Sequence, residues 1–208
     1  MNCRSTLIVV FAKAPQPGRV KTRLAATIGA EAAARLHARL LERTVATALA
    51  ADCGVVELHG APAGHRFLRA LARHRALVLR DQGQGDLGTR MLRAFRSGLR
   101  PRMRMILIGS DCPALQAADL RRASRLLCSY DAVLAPAEDG GYPLIGLRRA
   151  SARLFEGMPW GTDLVLAQTR QRLAALGWRW RELRTLWDVD RPEDFERLRA
   201  SRLLDRRP

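Results

Sequence analysis

The chain has 208 residues, 48% of them hydrophobic and 27% charged, the balance of an ordinary globular domain long enough to bury one sizeable core. The apolar run at residues 7–12 is shorter than a signal-peptide core and far too short to cross a bilayer, and no later segment is apolar enough to do so; a cytoplasmic protein is expected. The net charge of +16 suggests a polyanionic partner, but the arginines are spread along the whole chain and aromatic residues amount to only 5%. With no basic–aromatic ladder on which bases could stack, a dedicated nucleic-acid binder is disfavoured.

In chain order, residues 6–12 (T-L-I-V-V-F-A) read as a buried strand. Residues 30–51 read as a long helix, since Ala33, Leu36, Leu40, Leu41, Val45 and Leu49 recur with a period of about 3.6 residues. A second strand is expected at 54–59, a short basic helix at 65–74 and a third strand at 76–79. A glycine-rich loop at 82–88 leads into a helix at 89–98, and a fourth strand at 103–108 ends in Gly109-Ser110-Asp111-Cys112-Pro113. A helix at 117–128 and a fifth strand at 132–135 follow. Glu138-Asp139-Gly140-Gly141 then turns into a strand at 142–147. The rest reads as a helix at 163–176, an extended stretch at 178–186 and a last helix with Pro192 in its first turn. Such alternation predicts a single three-layer α/β/α domain over 1–208 around a mostly parallel sheet. Ligands of such sheets bind at the carboxyl ends of the strands, where the unusual loops of this chain fall.

The first of these loops, F-A-K-A-P-Q-P-G-R-V-K-T-R-L, has two prolines, a glycine, four cations and no acid. Lys13 and Lys21 are the only lysines among 36 Lys and Arg residues, and both lie in it. Where almost every surface cation is arginine, the remaining lysines mark positions at which a compact ammonium matters. Prolines stiffen the loop, Gly18 permits close backbone approach, and Lys21 and Arg23 are candidates to face phosphate oxygens. It is not a Walker A loop: Lys21-Thr22 lacks the preceding glycines, and a solvated basic turn is the competing reading.

Asp111, at the end of an apolar strand, is a candidate ligand for magnesium against a diphosphate, the alternative being a helix cap. Its carboxylate partner is sought in Asp188, Asp190 or Asp139; alternation along an extended chain puts Asp188 and Asp190 on one face. Gln82, Gly83, Gly85, Gly88 and Thr89 form a loop whose glycines admit a base edge and whose Gln82 offers both a donor and an acceptor. Asp139-Gly140-Gly141-Tyr142 reads as a tight turn facing a second substrate, or as a plain hairpin, and Trp160-Gly161-Thr162 either caps that pocket or starts the next helix. Cys3, Cys53, Cys112 and Cys128 lack metal-site spacing and read as reduced thiols; Cys112 as a nucleophile lacks a base nearby in sequence. No role is assigned to His37, His59, His65 or His74.

Taken together, F-A-K-A-P-Q-P-G-R-V-K-T-R-L, Q-G-Q-G-D-L-G-T-R-M, I-G-S-D-C-P-A-L, A-E-D-G-G-Y-P-L-I-G-L, P-W-G-T and W-D-V-D-R-P-E-D-F resemble the nucleotide-diphospho-sugar transferase superfamily. The resemblance is closest to its small bacterial glycosyltransferase group and more distant to the molybdenum-cofactor and phospholactate guanylyltransferases. It implies a glycosyltransferase-A-like, Rossmann-like fold, with a nucleotide or nucleotide-sugar held by Lys13, Gly18, Lys21, Thr22, Arg23, Gln82 and Gly88. It further implies Mg2+ (or Mn2+) on Asp111 and Asp188, catalysis at Asp111 and Lys21, and an acceptor near Asp139, Gly140, Gly141, Tyr142 and Trp160. Metal-assisted glycosyl transfer is the first expectation and nucleotidyl transfer with release of pyrophosphate the alternative. A non-catalytic nucleotide-binding or polyanion-binding protein is the third.

Overall fold

The first apolar run is strand β1, Thr6–Lys13, inside the sheet of the computed structural model, which describes residues 6–100 and 103–204. Cys3, counted above among the reduced thiols, lies outside the described residues. Ile8, Val10 and Ala12 enter one core cluster and Leu7, Val9 and Phe11 another, so both faces of β1 are buried. A strand covered on both sides is apolar throughout, which is why it shows no alternation in sequence.

The remaining elements are α1 Thr22–Ile28, α2 Ala30–Ala50, β2 Gly54–Ala61, α3 Arg66–His74, β3 Val78–Asp81, α4 Leu87–Gly98, β4 Arg104–Gly109, α5 Ala117–Leu126, β5 Ala132–Ala135, β6 Leu144–Leu147, α6 Val165–Ala175, β7 Trp180–Glu182 and α7 Pro192–Ser201. The strands form one sheet in the order β3-β2-β1-β4-β6-β5-β7. All neighbours are parallel except β6, which runs antiparallel between β4 and β5. One core cluster packs α2, α3 and α5 on the sheet and the other packs α4 and α6 on the opposite face. The result is the expected three-layer α/β/α arrangement with a mostly parallel mixed sheet. Among the described residues, no helix is long and apolar enough to cross a membrane.

Departures from the expected boundaries have local causes. Ala76 adopts a left-handed backbone (φ 53°), so β3 starts at Val78 rather than at residue 76. Asp86 Oδ1 accepts the Thr89 amide at 2.8 Å and caps α4, which therefore begins at Leu87 rather than at 89. Of the extended stretch 178–186, β7 joins the sheet as a strand and Leu186 adds an isolated parallel bridge to Ala137. Helix α1 was not expected as a separate element; it begins after Lys21, whose own backbone is left-handed (φ 50°). A small third cluster, Leu24, Leu36, Leu40, Val189 and Leu198, binds α1, α2 and α7 together behind that residue.

Candidate functional site

Parallel strands deliver the loops after β1, β3, β4, β5 and β7 to one edge of the sheet, and antiparallel β6 starts there. These loops enclose a cavity of about 670 Å³ whose walls include Lys13, Lys21, Thr22, Gln82, Asp111, Asp139, Gly141, Tyr142, Trp160 and Asp188. Segments 11–24 and 188–190, remote in sequence, thus meet Asp111 at one place.

Lys21 and Asp111 are in direct contact. The Lys21 ammonium stands 2.9 Å from Asp111 Oδ1 and donates to the Val189 carbonyl, with its side chain only 3% exposed. It therefore does not reach freely into the cavity, as a phosphate-facing lysine would; it serves as the buried counter-ion of Asp111. Val189 is suited to receive it: its side chain is fully buried in the third cluster, and its amide donates to the Asp111 carbonyl at 3.0 Å. With Val189 turned inward, Asp188 and Asp190 both line the cavity, as alternation requires.

Asp111 Oδ1 is closed to solvent, whereas the side chain as a whole keeps 43% of its surface open, so the exposed part is the other side of the carboxylate. Burial alone would raise its pKa. The Lys21 ammonium and the His37 imidazole, 3.3 Å away, outweigh burial and hold the carboxyl well below the usual range. Asp188 behaves in the opposite way: burial, then the Asp139 and Asp111 carboxylates, push it up to about 6 against the pull of Lys21. Crowded carboxylates of this kind suit a hard divalent cation. Among the described residues, no three His, Cys, Asp or Glu side chains converge as a metal cage. Asp111 and Asp188 are the carboxylates that could hold such a cation together with substrate phosphates.

The cavity lining also carries cations. Lys13 and Arg19 are exposed on it and form no ion pair with the described residues. Arg90 lines it too, donating its Nε to the Gly85 carbonyl at 2.8 Å. These cations come from β1, the loop after it and α4, the carboxylates from the loops after β4, β5 and β7.

Several expected residues sit elsewhere or act differently. Arg23 is exposed and paired with Asp190 at 2.9 Å, tying α1 to the 188–190 segment rather than facing the cavity. Gly18 lies off the cavity wall with nothing within 4 Å of a notional Cβ; its φ of 74° shows that it serves the turn, not a close approach. A Cβ at Gly88 would meet the Phe155 carbonyl oxygen at 2.6 Å and Trp160 Nε1 at 2.7 Å, so that glycine admits Trp160 against α4 and does not admit a base. Gln82 was expected to offer both donor and acceptor. Its Nε2 is committed to the Ala12 and His59 carbonyls at 3.2 and 2.8 Å, leaving only Oε1 for a ligand. Tyr142 lines the cavity; its hydroxyl is buried beside Thr169 with no aligned hydrogen bond among the described residues, and burial pushes its pKa up to about 12.

Cys112 is 3% exposed and burial pushes its thiol up to about 12, which removes the nucleophile reading. Of the histidines, His65 caps α3 through Phe67 N at 3.3 Å and His59 pairs with Glu57 at 3.0 Å. His37, Arg19 and Arg90 are site residues that sequence reasoning missed.

Gly140 does not line the cavity but anchors the turn that does. It has φ 84°, its carbonyl accepts the Leu166 amide at 2.8 Å, and a Cβ would stand 2.3 Å from the Asp163 carbonyl oxygen. Gly140→Ala is expected to cost about 2–3 kcal/mol, combining left-handed strain with a clash against backbone that cannot rotate away. Urea unfolding would check this, and an unchanged midpoint would show that the turn is not docked on α6.

Comparison with known proteins agrees with the fold. The family described as "Uncharacterized protein conserved in bacteria (DUF2064)" matches residues 44–162. The 3-phospho-D-glycerate guanylyltransferase of Phenylobacterium zucineum (strain HLK1) is 34% identical over 188 residues, covering 84% of this chain and 81% of the relative. A crystal structure from Desulfovibrio desulfuricans G20, provisionally assigned as a nucleotide-diphospho-sugar transferase, matches with a TM-score of 0.87 at 28% identity, over 96% of this chain and 88% of that one. CMP:2-keto-3-deoxy-manno-octonic acid synthetase, solved with CTP, matches with a TM-score of 0.62 at 12% identity, over 97% of this chain and 100% of that one, a likeness of fold.

Proposed function

The chain belongs to the bacterial family described as DUF2064, within the nucleotide-diphospho-sugar transferase superfamily, and on that premise we propose that it is a nucleotidyltransferase using a nucleoside triphosphate. The observation that carries the reading is one cavity lined both by cations, Lys13, Arg19 and Arg90, and by carboxylates, Asp111, Asp139 and Asp188. A polyphosphate accompanied by a divalent cation has the matching polarity.

Transfer at phosphorus is preferred here to transfer of a sugar, which reverses the order expected from sequence. Support comes from the relative that is 34% identical, a guanylyltransferase named for 3-phospho-D-glycerate. Guanosine triphosphate and a small phosphorylated acid are accordingly the specific substrates proposed. An acceptor oxygen forms a bond to the α-phosphorus as the bond from that phosphorus to pyrophosphate breaks. Lys13, Arg19 and Arg90 donate charge-assisted hydrogen bonds to phosphate oxygens, and Gln82 Oε1 accepts from the base. Lys21 fixes Asp111, while the Asp139–Tyr142 turn and Trp160 border the acceptor. Asp111 and Asp188 would hold magnesium or manganese, which would supply neutralisation of phosphate charge.

The test is pyrophosphate release measured with each of the four ribonucleoside triphosphates, with and without 3-phosphoglycerate, beside a panel of sugar nucleotides. Release that requires both guanosine triphosphate and the acid is expected. Release of nucleoside diphosphate from a sugar nucleotide, with no pyrophosphate from any triphosphate, would return the reading to glycosyl transfer.

A further inference from the structure

His37 stands in the middle of α2, 3% exposed, among residues whose neighbours on that face are leucine and alanine. A histidine in such a place needs partners for both ring nitrogens. Nε2 lies 3.0 Å from the Lys13 carbonyl oxygen at the end of β1. Nδ1 has no aligned hydrogen bond, and it faces Asp111 Oδ1 at 3.3 Å, itself a buried oxygen without an aligned donor. Both ring nitrogens therefore face oxygens that can only accept, one on the strand that carries the cationic loop and one on the acid at the centre of the site, an arrangement that calls for the imidazolium, with Nε2–H donating to the Lys13 carbonyl and Nδ1–H facing Asp111.

Asp111 Oδ1 is thus approached by two side chains, Lys21 from the N-terminus of α1 and His37 from α2, while the rest of the carboxylate stays open to the cavity. A single ammonium leaves a carboxylate free to turn about its χ2 torsion; a second donor from another direction removes that freedom. Close by, the Val189 carbonyl accepts from the Lys21 ammonium, the Val189 amide donates to the Asp111 backbone carbonyl, and Asp188 adds a second carboxylate, not a donor. Neither Val189 group touches the carboxylate, so His37 is the second constraint on it among the described residues.

We propose that His37 is a positioning residue: with its Nε2 anchored on the Lys13 carbonyl, its Nδ1 holds the inner oxygen of Asp111 so that the outer face of that carboxylate meets the metal-bound nucleotide. The inference rests on the nucleotidyltransferase reading and adds a residue to it. Loss of a group that orients a metal-ligating carboxylate costs on the order of 10–100-fold in metal affinity or turnover.

Two substitutions separate the two ends of the ring. In His37→Asn the amide nitrogen falls near the position of Nδ1 and keeps a donor for Asp111; in His37→Gln it falls near Nε2 and keeps only the link to Lys13. Mn2+ affinity is read by electron paramagnetic resonance in the presence of a non-hydrolysable guanosine triphosphate analogue, kcat and KM by pyrophosphate release, and folding by circular dichroism. His37→Asn is expected to stay within about three-fold of the wild type in Mn2+ affinity and kcat. His37→Gln is expected to lose about 10-fold or more in both, with KM for the nucleotide changed less. Equal behaviour of the two variants, or the reverse order, would overturn the inference, since a merely structural histidine would lower stability in both and leave the folded molecules alike. A wild-type protein that binds no Mn2+ with the analogue overturns the nucleotidyltransferase reading itself, and the inference with it.

Discussion

Lys21→Met is expected to lower stability at neutral pH by about 2–3 kcal/mol and turnover by about 100-fold or more, and adding Asp111→Asn is expected to restore part of the stability and none of the turnover. Methionine keeps the aliphatic volume of the lysine stem and has the same Cβ, so the strain of the left-handed backbone at φ 50° is unchanged and cancels. What is lost is the ammonium, leaving Asp111 Oδ1 buried beside His37 alone. Breaking a buried pair from one side costs about 3–5 kcal/mol, discounted here because the Asp111 side chain is 43% exposed. In the double variant no charge is stranded; the remaining deficit is the Val189 carbonyl, which has lost its donor in both. In thermal scans the single variant should melt roughly 5–10 °C below the wild type, and the double variant between the two. Purely additive losses would show that the two residues do not support each other. The pH dependence has a fixed sign. Because the folded-state pKa of Asp111 is depressed, its contribution is complete above about pH 5 and falls away as acid protonates it, and the double variant should lack that component.

How this pair could be anticipated shows what sequence carries. The buried strands and the Asp111 that ends one of them were legible because a parallel sheet needs apolar runs and gathers the loops after them at one edge. The common face of Asp188 and Asp190 was legible from alternation alone. The direction of the Lys21 side chain was not, because it depends on a left-handed backbone and on Val189, 168 residues away, offering its carbonyl. Gln82 lost its donors to two strand-end carbonyls that no local pattern reveals. Gly88 and Trp160 were each noticed, but their contact across α4 could not be. For His37 there was one usable signal: it occupies the apolar stripe of α2, between Leu36 and Leu40, where a histidine must find partners. Its partners come from β1 and from the loop after β4, so the signal could have marked the residue but not named its role.

The other large effect should appear as a gain in stability. Asp188→Asn is expected to raise the melting temperature by roughly 2–6 °C at pH 8 while reducing turnover by about 100-fold or more. Burial, then Asp139 and Asp111, push the Asp188 carboxyl up to about 6, so at pH 8 the fold holds a carboxylate it would rather protonate. A shift of about two units corresponds to ~3 kcal/mol, reduced to about 1–2 kcal/mol because Asp188 is only half-buried. A raised carboxyl pKa makes the folded state bind the proton more tightly between about pH 4 and 6. The wild type should therefore lose stability relative to the variant as pH rises through that window, and the gap should be full above it. Magnesium or manganese supplied with the nucleotide should close the gap from the wild-type side, since a cation beside Asp188 relieves the same repulsion, and should shift the variant little. Scans from pH 4 to 8 with and without metal and nucleotide would check this. A variant that melts with the wild type across the whole range would mean that the carboxylates do not crowd one another. The site would then have no reason, in its own electrostatics, to take up a cation.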